Sequence, residues 1–201
     1  MIAVIDYGMG NLGSVANALK RLGAETRITQ DAADLKTAEK IVLPGVGAFR
    51  DAVDSLGKLK LTEALKEALA SGKIYLGICL GLEVLFDKSE EGGGCSGLGV
   101  IKGSVLRFGS AGFKVPHIGW NNVRFRKREC PLFKGIPDNA HFYFVHSYYV
   151  KPADGSIEAA STEYGGDFTS MVWKDNIYAT QFHPEKSQRI GLKLLENFVR
   201  L

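Results

Sequence analysis

The stretch Tyr75-Leu76-Gly77-Ile78-Cys79-Leu80-Gly81 decides the fold. An apolar run that ends in Gly-x-Cys-x-Gly and passes into a helical pattern reads as a buried strand, a sharp turn and a helix. Glycines on either side of Cys79 remove the side chains that would block so tight a turn, and the thiol is lifted to the rim of a sheet. The pattern predicts a helix over residues 80–87. The amide dipoles at its N-terminus are expected to activate the thiol in part.

Outward from this elbow, strand and helix patterns alternate. Residues 1–7, 25–29, 40–43 and 74–78 read as buried strands, the third stopping at Pro44. A helix capped by Asn11 carries Leu12, Val15, Ala16, Leu19 and Leu22 at helical spacing and stops at Gly23. Residues 51–71 are helical, with a break near Gly57. This alternation predicts an α/β fold with a mostly parallel central sheet and helices on both faces. Ligands of such sheets gather at the carboxyl ends of the strands, where Tyr7, Pro44 and Cys79 fall. The C-terminal half differs in kind. Residues 100–108, 120–126, 141–150, 157–162, 168–173 and 177–182 are strand-like and separated by turn signals, so antiparallel strands are expected to extend the sheet. A last helix begins at Ser187. No repeat, linker or boundary interrupts the chain, and residues 1–201 are read as one domain.

Composition narrows the function classes. The chain has 201 residues, 45% hydrophobic and 23% charged, close to soluble averages. No apolar run approaches the roughly 18 to 20 residues needed to span a bilayer. The N-terminus reads as a strand without a basic region or cleavage site, so a cytoplasmic protein is expected. A net charge of +3 does not call for nucleic acid. The one basic cluster, Arg124-Phe125-Arg126-Lys127-Arg128, reads as a solvated edge strand and turn or as a surface for an acidic partner or a phosphate. Three cysteines form no CxxC pair and no even set, so neither a disulfide framework nor a structural zinc site is expected, and nothing asks for a cofactor.

A free thiol is only a few per cent ionised at pH 7, a limit removed by an imidazole within hydrogen-bond reach. His183 is the candidate base: it follows an apolar strand end, Pro184 fixes the chain after it, and Glu185 stands where a turn returns its carboxylate to the ring. That carboxylate would select the tautomer and stabilise the imidazolium. Attack on an acyl carbon also needs oxyanion donors. The N–H of Leu80, next to the nucleophile, is one. Pro44-Gly45-Val46-Gly47 offers a second, although such a loop also reads as an ordinary glycine-rich turn; as a phosphate cradle it lacks the Lys-[Ser/Thr] of a P-loop.

With Pro44-Gly45-Val46-Gly47, Gly77-Ile78-Cys79-Leu80-Gly81 and His183-Pro184-Glu185 in this order, the chain resembles the class I (triad) glutamine amidotransferases, with their flavodoxin-like sheet. The segments Asp6-Tyr7-Gly8-Met9-Gly10-Asn11-Leu12, Pro116-His117-Ile118-Gly119-Trp120-Asn121, Tyr143-Phe144-Val145-His146-Ser147-Tyr148 and Lys186-Ser187 bring the likeness nearest to the glutaminase subunits of imidazole glycerol phosphate synthases. The resemblance implies a Cys79–His183–Glu185 triad that hydrolyses L-glutamine through a thioester. Ammonia would pass to a (β/α)8-barrel cyclase subunit in a heterodimer of histidine biosynthesis. It further implies oxyanion donors at Val46 and Leu80, the former made available by a backbone rearrangement. Substrate contacts are implied from Gly45, Gly47, Glu83, His146, Ser147 and Tyr148, and a partner-facing side at Asn11, Trp120, Tyr143 and Lys186.

One position departs from the family pattern. Glu83 stands where most relatives carry Gln, and an ionised carboxylate donates no hydrogen bond. Glu83 is read either as a group in the substrate site or as a solvent-facing residue of the elbow helix. Trp120 is likewise read as an interface aromatic or a core residue. Two alternatives stand beside the leading reading: the glutaminase subunit of another synthase, and a regulatory member of the fold without catalysis.

Overall fold

A computed structural model describes residues 1–109 and 112–201. The first half alternates as β1 (Ile2–Ile5), α1 (Leu12–Arg21), β2 (Thr26–Thr29), α2 (Ala32–Thr37), β3 (Lys40–Gly45), α3 (Phe49–Lys58), α4 (Leu61–Ala70), β4 (Ile74–Cys79) and α5 (Leu80–Glu83). Then follow β5 (Phe86–Ser89), β6 (Cys95–Ser96), β7 (Ile101–Arg107), β8 (His117–Phe125), β9 (Ala140–His146), β10 (Tyr148–Pro152), β11 (Glu158–Glu163), β12 (Asp167–Lys174), β13 (Ile177–Thr180) and α6 (Gln188–Val199).

The order β2-β1-β3-β4-β13 is parallel throughout, the doubly wound arrangement in which the chain reverses direction across the sheet between β1 and β3. Antiparallel β12 joins β13, and the sheet continues through β10 to β7, then β5 and β6. On the other side of β12, β11 leads to the β8–β9 hairpin.

Strand pleating assigns the faces. Ala3, Ile5, Ile41 and Leu43 pack with Leu35, Leu56 and Leu65 of α2, α3 and α4. Their neighbours Ile2, Val4, Val42, Leu76 and Ile78 pack with Val15, Leu19, Leu194 and Phe198 of α1 and α6. A period of two along each strand thus feeds two apolar cores, one per face. No described helix is long and apolar enough to cross a membrane.

The local reading needs five corrections. Helix α2 was not expected; Asp31 starts it by accepting the Ala33 N–H at 2.8 Å. The break between α3 and α4 falls at Lys60, whose φ is 57°, and Gly57 lies inside α3. Strand β3 runs through Pro44 to Gly45, paired with β4 as far as Cys79, and tolerates the proline because its pairing with β1 on the other side ends at Val42. The helix expected over 80–87 ends at Glu83, since Phe86 is needed in the core and its strand pairs in parallel with β7. The strand expected over 141–150 is broken at Ser147 into β9 and β10.

The basic cluster is neutralised within the chain. Arg124 pairs with Asp167, Arg126 reaches Glu158 and Asp167, and Arg128 bonds Asp138 at 2.7 Å. Lys127 lies over the Trp173 ring. This favours a solvated, internally paired face over a docking surface for an acidic partner, but the strand is not an edge: β8 is paired with β9 on one side and β11 on the other.

Candidate active site

Three parallel strands deliver the reactive groups to one edge. Gly45 at the end of β3 is in register with Cys79 at the end of β4, and Thr180 at the end of β13 is in register with Ile78. The backbone of Cys79 is held at φ 54°, ψ −105°, a region that a residue with a side chain occupies only when its surroundings force it. The force comes from close packing. A Cβ on Gly77 would lie 2.4 Å from the carbonyl of Gly81, and one on Gly81 would lie 1.8 Å from that of Leu43. Only glycine at both positions lets α5 fold back over the strands that carry the thiol.

The thiol is not activated by the helix as expected. Burial pushes its pKa well up, the charges of Glu83 and Glu185 add to this, and the Leu80 N–H and the Gln181 side chain oppose it only in part. The reason is dimensional: α5 is a single turn, too short to sum a useful dipole against that burial. The proton must therefore leave through a base.

His183 is the candidate. Its Nδ1 lies 2.9 Å from Glu185 Oε1, with both side chains 99% buried or nearly so, and Nε2 is buried without a hydrogen bond among the described residues. The carboxylate fixes the imidazole proton on Nδ1 and leaves Nε2 as the ring's free acceptor; no hydrogen bond joins it to Cys79 Sγ, whose one side-chain partner among the described residues is Gln181. The ring is anchored through its backbone. The His183 N–H donates to the Tyr143 carbonyl, Ser187 Oγ donates to the His183 carbonyl at 2.6 Å, and Tyr143 N–H donates to the same Oγ at 2.9 Å.

Glu83 is buried beside the thiol, so its solvent-facing reading is corrected. Its Oε1 accepts from Gln181 Nε2 at 2.7 Å, and the same Nε2 lies 3.8 Å from Cys79 Sγ. Burial lifts the carboxyl to about 8, so it is mostly protonated at neutral pH. The residue pattern around His183 did not single out Gln181, although its place two residues before the base, at the end of a strand neighbouring β4, puts it over the sulfur.

A cleft of about 280 Å³ opens over Cys79. Of the sequence-predicted residues, Val46, Gly47, Leu80, Glu83, His146, Ser147 and Tyr148 line it. Gly45 lies behind them, buried against Tyr7 Oη and Leu80, where any side chain would collide. Glu91, also a lining residue, was not foreseen; its Oε2 accepts the Phe49 N–H at the start of α3. Trp120 is 46% exposed and so is not a core residue. Its ring meets that of Tyr143, its register partner across the hairpin, and Lys186 Nζ lies over Tyr143. Asn11 precedes α1 and makes no side-chain cap. Among the described residues no cluster of metal-binding side chains occurs.

A thiol on a strained elbow, a carboxylate-oriented imidazole and a small cleft with a few polar groups fit acyl transfer from an amide. Comparison with known proteins agrees. The family model for class-I glutamine amidotransferases matches residues 3–201. The imidazole glycerol phosphate synthase subunit HisH of Rhodopirellula baltica is 51% identical over 199 residues, 98% of this chain and 96% of that protein. The subunit of the same name from Methanocaldococcus jannaschii is 49% identical, each chain covered in full. In fold, the chain resembles the structure of PurLQS from Thermotoga maritima, with a TM-score of 0.78 at 19% identity, covering 99% of this chain and 97% of that one. A solved glutamine amidotransferase gives 0.77 at 17%, with both chains covered in full. Near-complete coverage by the family model, together with half-identical relatives, settles the kinship: the chain belongs to the class-I glutamine amidotransferases.

Proposed function

We propose that this chain is the glutaminase subunit of an imidazole glycerol phosphate synthase, hydrolysing L-glutamine and passing the ammonia to a barrel-shaped cyclase partner. The observation that carries the chemistry is the cleft-lining Cys79 on its strained elbow, within electrostatic reach of Glu185 of the buried His183–Glu185 pair. The names of the half-identical relatives support the pathway.

In this reading His183 Nε2 takes the thiol proton as Sγ attacks the side-chain carbonyl carbon of glutamine. The Leu80 N–H, and that of Val46 once its peptide turns toward the cleft, stabilise the oxyanion. The imidazolium returns the proton to the leaving nitrogen, and ammonia departs from a γ-glutamyl thioester. His183 then deprotonates a water, which releases glutamate and restores the thiol. Glu185 keeps the ring in one tautomer and stabilises its charged form. Gly47, Glu83, His146, Ser147 and Tyr148 hold the amino-acid end of glutamine, with Gly45 behind them shaping that wall. Trp120, Tyr143 and Lys186, whose side chains meet around the Tyr143 ring, form part of the cyclase-facing surface with Asn11. A cytoplasmic location goes with this pathway.

The test is a glutaminase assay with and without a barrel cyclase from the same source and its ribonucleotide ligand. Cys79→Ala and His183→Ala are expected to lose glutamine hydrolysis by about a thousandfold or more, while ammonia-dependent synthesis by the complex persists. Glu185→Gln loses less than either. Near-wild-type hydrolysis in Cys79→Ala overturns the reading, and a co-purifying partner other than a barrel synthase overturns its pathway.

A further inference from the structure

Two further histidines lie buried beside the cleft. His117 opens β8, His146 closes β9, and the two are in register across the hairpin. They are 3% and 6% exposed. The His117 ring is stacked between Phe144, 4.8 Å away at 24°, and Tyr164, 3.9 Å away at 22°. His117 Nδ1 lies 3.0 Å from His146 Nε2, His146 Nδ1 lies 2.6 Å from the Tyr148 carbonyl, and Asn121 Nδ2 lies 3.2 Å from His117 Nε2.

The proton positions follow from the ends of this chain. Asn121 has its amide fixed by two main-chain bonds: Oδ1 accepts the Asn122 N–H at 2.8 Å, and Nδ2 donates to the Glu163 carbonyl at 2.9 Å. The second Nδ2 hydrogen therefore faces His117 Nε2, which must accept. The His117 proton then sits on Nδ1 and goes to His146 Nε2, so His146 carries its own proton on Nδ1 and donates to Tyr148. At the far end the carbonyl can only accept, which demands the same polarity. Both ends agree. Burial keeps both rings neutral by pushing their pKa values down, to about 4 for His117 and about 3 for His146.

The last bond straps across Ser147, the residue that separates β9 from β10, whose carbonyl also accepts the Phe108 N–H at 3.1 Å. Residues 146–148 form one wall of the cleft over Cys79. We propose that Asn121, His117 and His146 act as a relay locked in one tautomeric polarity, which positions the Ser147–Tyr148 main chain to receive the amino-acid end of glutamine. His117 and Asn121 are positioning residues, since neither lines the cleft. The inference rests on reading that cleft as the glutamine site. It also gives a reason for a neutral His146: the ring lies near enough to His183 that a second positive charge would oppose formation of the imidazolium.

The test has two arms. Long-range proton–nitrogen correlation spectra of the full chain near pH 7 should show His117 and His146 neutral, each with a protonated Nδ1 and a bare Nε2, the form less favoured for a free histidine side chain in water. A protonated Nε2 on either ring overturns the relay, whatever the enzyme does. In the complex with the cyclase, His117→Phe keeps an aromatic in the stack but removes the donor to His146. Its KM for glutamine is expected to rise roughly tenfold, the scale of one buried hydrogen bond, with kcat and ammonia-dependent synthesis little changed. His117→Gln, which can still donate, should recover most of the loss. A folded His117→Phe with wild-type KM, or a fall in thermal stability with KM unmoved, overturns the positioning role. Should that variant not fold, Asn121→Ala serves, with a smaller rise expected and an unchanged KM counting against the proposal. Absence of glutaminase in the wild-type complex would instead remove the reading of the cleft and leave the tautomers untouched.

Discussion

Glu83 is held in the cleft wall with one amide donor and no compensating cation among its neighbours. Its folded pKa, about 8, stands above the ordinary carboxyl value, so the native state holds a proton that the unfolded chain has already released. Stability from this group is therefore complete below the ordinary carboxyl range and is lost as pH rises through about 8. Glu83→Gln should match the wild type in thermal stability near pH 5 and exceed it at pH 9. Its KM for glutamine should be lower than wild type, with the gap widening from pH 6.5 to pH 9 as the wild-type carboxylate ionises. A KM unchanged or raised at both pH values would contradict the view that the charge hinders binding. The Cys79 elbow and the His183–Glu185 pair were legible in sequence because spacing and turn chemistry announce them. The environment of Glu83 was not, because it depends on Gln181 arriving from a strand far along the chain.

At the level of elements, the base is placed by a junction of β13, β9 and the start of α6. Ser187 Oγ sits at its centre, donating to the His183 carbonyl and accepting from Tyr143 N–H. Ser187→Ala leaves the Tyr143 N–H without its partner, while the His183 carbonyl keeps the Lys186 N–H, and should cost about 1–3 kcal/mol of stability by denaturant unfolding. Its kcat for glutamine hydrolysis should fall while KM stays near wild type, because the loss is in aiming His183. A selective rise in KM would show that the junction serves binding instead. The same scale explains what the sequence concealed. Periodicity found α1, α4, α6 and the buried strands, since each follows one local pattern. It overran α5, because Phe86 is claimed by a strand pairing with β7 that no local window contains. It missed α2, a short helix with a single buried leucine.

For the whole molecule, a doubly wound sheet brings the ends of β3, β4 and β13 together, and the antiparallel extension walls the cleft with residues 146–148. Fold class was legible because strand–helix alternation in the first half admits few topologies. The insertion of β13 beside β4, which brings the strand leading to His183 next to the strand ending at Cys79, was not, since only tertiary pairing defines it. The β8–β9 hairpin leaves Ile118 and Trp120 exposed at 60% and 46%. If this surface receives the cyclase, Trp120→Ala should weaken assembly by about 2 kcal/mol, roughly thirtyfold, without altering the fold of the free subunit. Titration calorimetry or sedimentation reads that change, and an unchanged affinity would move the interface elsewhere. The most direct test of the account is peptide mapping by mass spectrometry after the assembled complex meets a glutamine-mimicking diazoketone. Covalent modification at Cys79 alone, much slowed in His183→Ala, is the predicted result; an unmodified Cys79, or a label carried by Cys95 or Cys130 instead, would contradict it.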